Sequence, residues 1–213
     1  MAYKATAGTI FLKDDDGKPN ASIFYIAYTR SDVKDFSRRL LACLYNGRPG
    51  SSSVWIHRGA FGPRRADTPT PSPLPRRPTH VVDNGESLID VADLVFIDPV
   101  GTGFSNAVGK AKDQDFWGIE QDVNSLAQFI TAYVSRNNGW NSPKFLIGES
   151  YGTFRNAALV NYLPWHAGDD VHPFWTSAPL SFFPSGGRPA LHPLLAQLGG
   201  HGVPPQAAPR PSR

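Results

Sequence analysis

Residues 148–152 have the pattern G-x-S-x-G, which places a serine between two glycines. A nucleophilic serine of this kind lies on a sharp turn from a strand into a helix, where small residues let the backbone pass closely and leave the hydroxyl exposed. The flanking sequence fits that context, because the apolar run KFLI precedes the pattern and TFRNAALVNYL follows it. We therefore predict that Ser150 is a nucleophile.

An acyl-transfer reaction at Ser150 also requires N–H donors that stabilise the negative charge of the tetrahedral intermediate. In such an arrangement one donor is the N–H of the next residue, Tyr151, and the other comes from the loop after the third core strand. The segment NGRPG, residues 46–50, follows the apolar run LLACLY and is in that position. We therefore expect residues 46–50 to meet the serine turn at the active site.

The strands that would position these segments follow from the apolar patterns. Residues 7–12 and 21–29 are rich in Ile, Phe, Tyr and Thr and flank the polar stretch KDDDGKPN, which predicts an antiparallel hairpin. The runs LLACLY and DLVFI each lead into a loop rich in Pro and Gly, which is typical of buried strands. The run KFLI predicts a further short strand directly before the serine turn.

Two helices follow from the same analysis. Residues 118–136 predict a helix with one apolar face formed by Ile119, Val123, Leu126, Ile130 and Val134. The segment after Ser150 predicts a second helix, with an apolar face formed by Phe154, Ala157, Ala158 and Tyr162. Strands that alternate with helices predict an α/β fold, with a mostly parallel sheet, crossover helices and the antiparallel hairpin at its N-terminal end.

The composition divides the chain into two parts. Residues 164–213 contain half of the 20 prolines, no Lys and no Glu. Such a segment cannot bury enough surface to offset the entropy of ordering it. We therefore predict one domain over residues 1–163 and a disordered tail rich in Pro, Gly and Arg over residues 164–213. Proline at nearly every second position also predicts an irregular surface excursion over residues 66–80.

Charge, cysteine and glycine patterns argue against several classes of function. The net charge of +3 is small and the arginines are scattered, so we expect no nucleic-acid partner. A lone Cys43, scattered histidines and glycine loops that fail the nucleotide-binding patterns predict neither a metal nor a cofactor. The first 20 residues resemble neither a signal peptide nor a membrane span. We therefore expect a cytoplasmic protein without membrane association, or a periplasmic or secreted one if the N-terminus is incomplete.

Three segments together resemble the serine carboxypeptidase family of α/β-hydrolases. NGRPGSSSVWIHRGAFGP, DLVFIDPVGTGFS and FLIGESYGTFR resemble, in the same order, that family's N-G-G-P-G loop, D-x-P-x-G-T-G-[FY]-S loop and G-E-S-Y-[GA] elbow. The resemblance covers about residues 7–163, the N-terminal part of what the family has. It implies an α/β-hydrolase fold and a serine-type carboxypeptidase, which releases the C-terminal residues of peptides through an acyl-enzyme on Ser150.

The resemblance also implies roles for the neighbours of Ser150. The N–H groups of Tyr151 and Arg48 would form the oxyanion hole, although Arg48 stands where the family has a glycine. The C-terminal carboxylate of the peptide substrate would be held by Asn46, Gly47 and Glu149. Many members pair that glutamate with a second one, and the matching residue here is Ala60.

In α/β-hydrolases the catalytic Asp or Glu and the His follow the serine along the chain. His57 and His80 precede Ser150, and we expect both in loops. The later candidates follow no recognisable strand: His166, Asp169, Asp170, His172, His192 and His201. We therefore expect a truncated chain that lacks the triad acid and base and has little or no turnover. The alternatives are an esterase or acyltransferase on the same scaffold and a non-catalytic fragment.

Overall fold

The computed structural model describes residues 1–33, 39–47, 50–67, 80–166 and 175–180, with side chains up to residue 163. Its strands are β1 (Tyr3–Lys13), β2 (Pro19–Arg30), β3 (Leu40–Asn46), β4 (Arg64–Ala66), β5 (Val81–Asp83), β6 (Ala92–Ile97), β7 (Asn106–Ala107), β8 (Lys144–Glu149) and β9 (Trp175–Leu180). Its α-helices are α1 (Val54–Ile56), α2 (Ile119–Arg136) and α3 (Gly152–His166), and a π-helical turn over His57–Phe61 continues α1. Short 3₁₀ helices cover Leu88–Asp90 and Asp113–Phe116.

The main sheet has the strand order β1-β2-β6-β3-β8-β9, and β7 pairs with β2. The hairpin of β1 and β2 is antiparallel, and β2 is antiparallel to β6. Strand β3 is parallel to both of its neighbours, and β9 is parallel to β8. The predicted α/β fold, with its N-terminal hairpin, is confirmed. Because parallel strands end at the same edge of a sheet, the segments after β3, β6 and β8 come together there.

Helical segments cover the two faces of the sheet. On one face β3 contributes Cys43 to a core that it shares with Leu126 of α2, and on the other it contributes Leu44 to a core with Ile56 of α1. Every residue of β3 is buried, which explains why its sequence is apolar on consecutive positions. Burial raises the pKa of the Cys43 thiol to about 12, so it stays protonated.

Helix α2 agrees with the sequence prediction except at its first residue. Val123, Leu126, Ile130 and Val134 are buried on the predicted face. Ile119, the first residue of the helix, is 68% exposed. The spacing of apolar residues does not distinguish the exposed first residue of a helix from the buried turns that follow it.

The predicted apolar face of α3 is only partly correct: Ala158 and Tyr162 pack against the core, but the prediction is wrong at Phe154 and Ala157. Phe154 is 75% exposed and Ala157 is exposed, whereas Asn156, Leu159 and Leu163 are buried. A polar residue can lie on this face because the Asn156 side chain donates to the Leu146 carbonyl at 3.3 Å and accepts from the Tyr45 hydroxyl. The buried face therefore follows hydrogen bonding as well as hydrophobicity.

Part of the segment predicted as a tail lies in regular structure. Helix α3 continues to His166, and residues 175–180 form β9 beside β8. Residues 167–174 and 181–213 lie outside the described residues, so the domain boundary at residue 163 stays a prediction. Residues 68–79 of the proline-rich excursion also lie outside them, and the short strands β4 and β5 pair at its two ends.

Candidate active site

Ser150 lies in the turn between the end of β8 and the start of α3. Its φ angle is 58°, in the left-handed region that a non-glycine residue occupies at a cost of about 1 kcal/mol or more. The N–H of Thr153 donates to the Ser150 carbonyl at 3.0 Å and closes the turn. Ser150 is exposed, so its hydroxyl is accessible at the edge of the sheet. We call residues 148–152 the elbow.

The two glycines of the elbow are required to different degrees. A Cβ built on Gly148 would overlap the backbone carbonyl of Gly152, because the strand and the helix pass closely there. A Cβ built on Gly152 would have the Tyr45 carbonyl oxygen as its nearest neighbour, at 3.4 Å, which is an ordinary contact. Gly148 is therefore needed for the turn, whereas an alanine fits at Gly152.

The loop after β3 packs directly on the elbow. A Cβ built on Gly47 would overlap the backbone N of Gly152 and the Glu149 carbonyl. The parallel pairing of β3 and β8 ends with Asn46 opposite Glu149. The loop after β3 and the elbow therefore begin at the same edge of the sheet. Only a glycine allows this approach, so the structure brings Gly47 to the elbow as a backbone contact.

A hydrogen bond connects the side chains of Asn46 and Glu149. Asn46 is buried, and its Nδ2 donates to Glu149 Oε2 at 3.0 Å. Its Oδ1 accepts from the Ile56 N–H at 3.3 Å, so the amide is held from both ends. Glu149 is partly exposed. The pair therefore presents a fixed carboxylate next to Ser150.

A buried ion pair supports the elbow from the helix side. Arg155 Nε donates to Asp122 Oδ2 at 2.7 Å, and Nη2 donates to Oδ1 at 3.1 Å. The third guanidinium nitrogen, Nη1, donates to the Asn46 carbonyl at 3.0 Å. The guanidinium carbon also lies 5.2 Å from the centroid of the Tyr151 ring. Arg155, on α3, is therefore hydrogen-bonded both to α2 and to the end of β3.

The sequence analysis did not find this pair, although it contains a signal. Asp122 comes three residues after Ile119 and one before Val123, within the turn that begins the apolar face of α2. A charged residue that becomes buried when the helix packs needs a partner of opposite charge. Arg155 could be identified as that partner only once α2 and α3 were known to pack together.

The loop after β6 is anchored to the loop after β3 through Asp98. The Asp98 carboxylate accepts from the Ser53 N–H at 2.8 Å, and burial raises the pKa of this carboxyl. Gly103 has a φ of 54°, and a Cβ built on it would overlap Asp98 Oδ2. This contact accounts for Asp98 and Gly103 of the segment DPVGTG, residues 98–103.

The structure corrects the prediction for His57. His57 lies in the π-helical turn and is 4% exposed, so it is not a loop residue. One ring nitrogen, Nε2, is 2.8 Å from the Tyr28 hydroxyl, and the ring packs 4.5 Å from that of Phe96. Burial, helped by the charge of Arg58, lowers the pKa of His57 to about 4. His57 is therefore a neutral core residue.

The other candidates for the acid and base are not brought to Ser150 by the described residues. His80 is exposed, directly before β5. The backbone of His166 ends α3, and its side chain is not described. Outside the described residues lie Arg48, Asp169, Asp170, His172, His192 and His201. Within the described ranges, no group of three or more His, Cys, Asp or Glu side chains is arranged to hold a metal ion.

Comparison with known proteins points to one family. The family model of the serine carboxypeptidases matches residues 4–163. The structure is similar to that of Kex1Δp, a prohormone-processing carboxypeptidase from Saccharomyces cerevisiae, with a TM-score of 0.58 and 25% sequence identity. This match covers 83% of the present chain and 38% of the yeast chain, so the chain spans well under half of that relative's length.

A weaker match is the peroxisomal α/β-hydrolase Lpx1 from Saccharomyces cerevisiae, with a TM-score of 0.45 and 14% identity over 99% of this chain and 50% of that one. A search of curated proteins finds no significant match. None of the helices that the structure describes is both long and apolar enough to cross a membrane. The predicted α/β-hydrolase fold and the predicted family are confirmed.

Proposed function

The chain belongs to the serine carboxypeptidase family, and we propose that Ser150 is the nucleophile with which such an enzyme releases the C-terminal residue of a peptide. One observation carries the proposal. The exposed Ser150 occupies a left-handed turn at the end of β8, directly after a glutamate that Asn46 holds in place. A reactive hydroxyl next to a fixed carboxyl group suits a substrate that ends in a free carboxylate.

The reaction proceeds in two steps. Ser150 Oγ attacks the carbonyl carbon of the last peptide bond and passes its proton to a base, which transfers it to the departing amine as the C–N bond breaks. Water then hydrolyses the ester that remains on Ser150. In the described part of the chain, the Tyr151 N–H has no hydrogen-bond acceptor, which supports its role as an oxyanion donor. The second proposed donor, the Arg48 N–H, lies outside the described residues.

The substrate's carboxylate is recognised in this proposal by Asn46, Gly47 and Glu149. Two carboxyl groups attract each other only when a proton lies between them. Binding through Glu149 therefore requires a proton on one of the two groups and weakens as the pH rises. Gly47 contributes by allowing the loop after β3 to pack against the backbone of the elbow.

We propose that the 213 residues alone show little or no turnover. Of the histidines with described side chains, His57 is bonded to Tyr28 in the core and His80 is exposed before β5. Neither has a described contact with the elbow. Without a base the Ser150 hydroxyl remains protonated and a poor nucleophile.

Calorimetric titration with N-blocked Phe-Leu, as the free acid and as the amide, tests the proposal. We expect the acid to bind roughly tenfold more tightly at pH 5, since a hydrogen bond to a charged group is lost in the amide. Glu149→Ala removes this difference. Glu120→Ala, which removes an exposed carboxylate elsewhere, retains it.

The other outcomes separate the alternatives. Equal binding of acid and amide contradicts a carboxypeptidase and favours an esterase or acyltransferase on the same scaffold. Binding of neither peptide favours a non-catalytic fragment. Hydrolysis of the blocked dipeptide that Ser150→Ala abolishes would contradict the proposed lack of a base and support the nucleophile.

A further inference from the structure

Arg155 forms hydrogen bonds with all three of its guanidinium nitrogens, and the partners lie outside its own helix. Nε and Nη2 donate to the two carboxylate oxygens of Asp122 on α2, and Nη1 donates to the main-chain carbonyl of Asn46 at the end of β3. The side chains of Arg155 and Asp122 are only 5% and 11% exposed. The guanidinium therefore has a fixed position, because each of its hydrogen bonds is charge-assisted and buried.

Asn46 connects this guanidinium to the carboxyl group beside Ser150. Its main-chain carbonyl accepts from Arg155, whereas its side chain donates to Glu149 and accepts from the Ile56 N–H. Because a peptide unit is planar, a hydrogen bond to the carbonyl orients the whole unit between Asn46 and Gly47. A rotation of that unit would displace the Asn46 side chain and change the position in which the Glu149 carboxyl group is held.

Arg155 also contacts the residue that follows Ser150. The guanidinium carbon lies 5.2 Å from the centroid of the Tyr151 ring and 5.3 Å from that of the buried Tyr45 ring. At these distances the ring faces attract a cation. Arg155 therefore has contacts on both sides of Ser150, directly with Tyr151 and through Asn46 with the residue before it.

The ion pair is not arranged to bind a substrate carboxylate itself. Asp122 and Arg155 form part of the wall of a cavity of about 440 Å³ beside the elbow, which Trp117 and Tyr151 also line. A carboxylate that entered this cavity would have to displace Asp122 to bind the same two guanidinium nitrogens. The charge of Arg155 is therefore already neutralised, and the residue can act on the substrate only through the groups that it holds.

We propose that Arg155 is a positioning residue for carboxylate recognition: through the Asn46 carbonyl it orients the amide that holds Glu149. The proposal rests on the proposed function, in which Asn46 and Glu149 bind the C-terminal carboxylate of the peptide. It gives Asp122 a supporting role, since this residue neutralises the buried guanidinium and sets its direction.

The double variant Asp122→Leu/Arg155→Met separates positioning from stability. It leaves no buried charge unpaired, so we expect the chain to fold, but the Asn46 carbonyl loses its donor. Calorimetric titration at pH 5 with N-blocked Phe-Leu, as the free acid and as the amide, measures carboxylate recognition without requiring turnover. We expect the roughly tenfold preference of the unsubstituted chain for the acid to fall below about threefold, with the affinity for the amide nearly unchanged.

Arg39→Met/Asp93→Leu is the matched control. Arg39 and Asp93 also form a buried ion pair, with side chains 7% and 9% exposed, but they lie at the starts of β3 and β6, at the edge of the sheet opposite the elbow. We expect this variant to keep the preference for the acid even where its free energy of unfolding is lower. A role of Arg155 in stability alone predicts the same result for both double variants.

Arg155→Lys provides a second test, which applies even if Asp122→Leu/Arg155→Met does not fold. The ammonium group keeps a positive charge beside Asp122, but a single nitrogen replaces the three that bind Asp122 and Asn46 together. We expect this variant to fold and its preference for the acid to fall below about threefold. A tenfold preference in the folded Arg155→Lys and Asp122→Leu/Arg155→Met variants would overturn the proposal, and so would an equal loss in Arg39→Met/Asp93→Leu.

The two proposals fail in different ways. Equal binding of acid and amide by the unsubstituted chain would overturn the proposed function and the positioning role together. A preference for the acid in the unsubstituted chain that survives the substitutions at Arg155 would keep the proposed function and overturn only the role of Arg155.

Discussion

The elbow and the apolar rim around it lie at the same edge of the sheet but are built in opposite ways. The elbow is held by backbone contacts at Gly47 and Gly148 and by buried polar side chains behind it. The apolar rim consists of large side chains near Tyr151 that are mostly exposed: Trp117, Ile119 and Phe154. The comparison indicates that the reactive group depends on the fold, whereas the surrounding surface contributes binding area.

Substitutions should therefore affect different quantities in the two regions. In the elbow and its supports they should lower the free energy of unfolding, because buried groups lose partners or overlap. In the apolar rim they should change peptide affinity and leave the free energy of unfolding nearly unchanged.

The largest effect is expected at the glycine contacts. Gly47→Ala and Gly148→Ala each force a methyl group into backbone atoms that cannot move without opening the turn. We expect each to lower the free energy of unfolding by more than about 4 kcal/mol, measured by urea denaturation. Gly152→Ala, where the nearest atom is 3.4 Å away, should change it by less than about 1 kcal/mol. Equal stability of Gly148→Ala and Gly152→Ala would contradict this account of the elbow.

The next effect is expected at the buried ion pair. Arg155→Met leaves Asp122 buried without its partner, and we expect a loss of about 3 to 5 kcal/mol in the free energy of unfolding. The double variant Asp122→Leu/Arg155→Met should recover most of this loss, since no charge then remains unpaired. A double-mutant cycle measures the coupling. Additive losses would show that the pair does not act as a unit.

His57, which lies in the π-helical turn that follows α1, makes the stability of the fold depend on pH. Its pKa is about 4 in the folded chain against an ordinary value of about 6.5, so the unfolded chain binds an extra proton between these values. The stabilisation is therefore present above pH 6.5 and is lost as the pH falls towards 4, by about 3 kcal/mol in total.

Urea denaturation between pH 7.5 and pH 4.5 tests this sign. His57→Gln should have a shallower decrease in stability than the unsubstituted chain, because it has no group to protonate. His80→Gln, which changes an exposed histidine, should retain the full decrease. A steep decrease in both variants would mean that other groups control the acid sensitivity.

The smallest effect on stability is expected in the apolar rim. Phe154→Ser, at a side chain that is 75% exposed, should change the free energy of unfolding by less than about 0.5 kcal/mol. Leu159→Ala, on the same helix but fully buried, should cost about 2 to 5 kcal/mol. Thermal denaturation followed by circular dichroism compares the two. A large loss of stability in Phe154→Ser would show that this side chain helps to hold the elbow in place.

Apolar periodicity predicts much of this fold and explains the limits of the prediction. The hairpin, β3, α2 and β8 have strong patterns, because each buries a continuous apolar face. The face of α3 could not be read in this way, since Asn156 is buried through hydrogen bonds and Phe154 is exposed. For a similar reason His57 was expected in a loop, although its bond to Tyr28 allows it to be buried.

Some residues of the candidate site could likewise be predicted from the sequence, and others could not. The G-x-S-x-G pattern predicts Ser150 and its turn because the turn is determined by local backbone geometry. The supports of the turn depend on residues distant along the chain, such as Asp122 and Arg155, and no local pattern connects them. The cavity at Trp117 could not be predicted because it forms between α2, the loop after β6 and the elbow.

The most direct test of the site is a titration of the ¹⁵N-labelled chain with N-blocked Phe-Leu acid, followed by NMR. We expect the amide signals of Tyr151, Gly47 and Glu149 to shift most, because these residues surround Ser150. The amides of the hairpin turn between β1 and β2 should not move. Shifts that are absent at Tyr151 and Gly47 and concentrated elsewhere would contradict the claim that the elbow is the peptide-binding site.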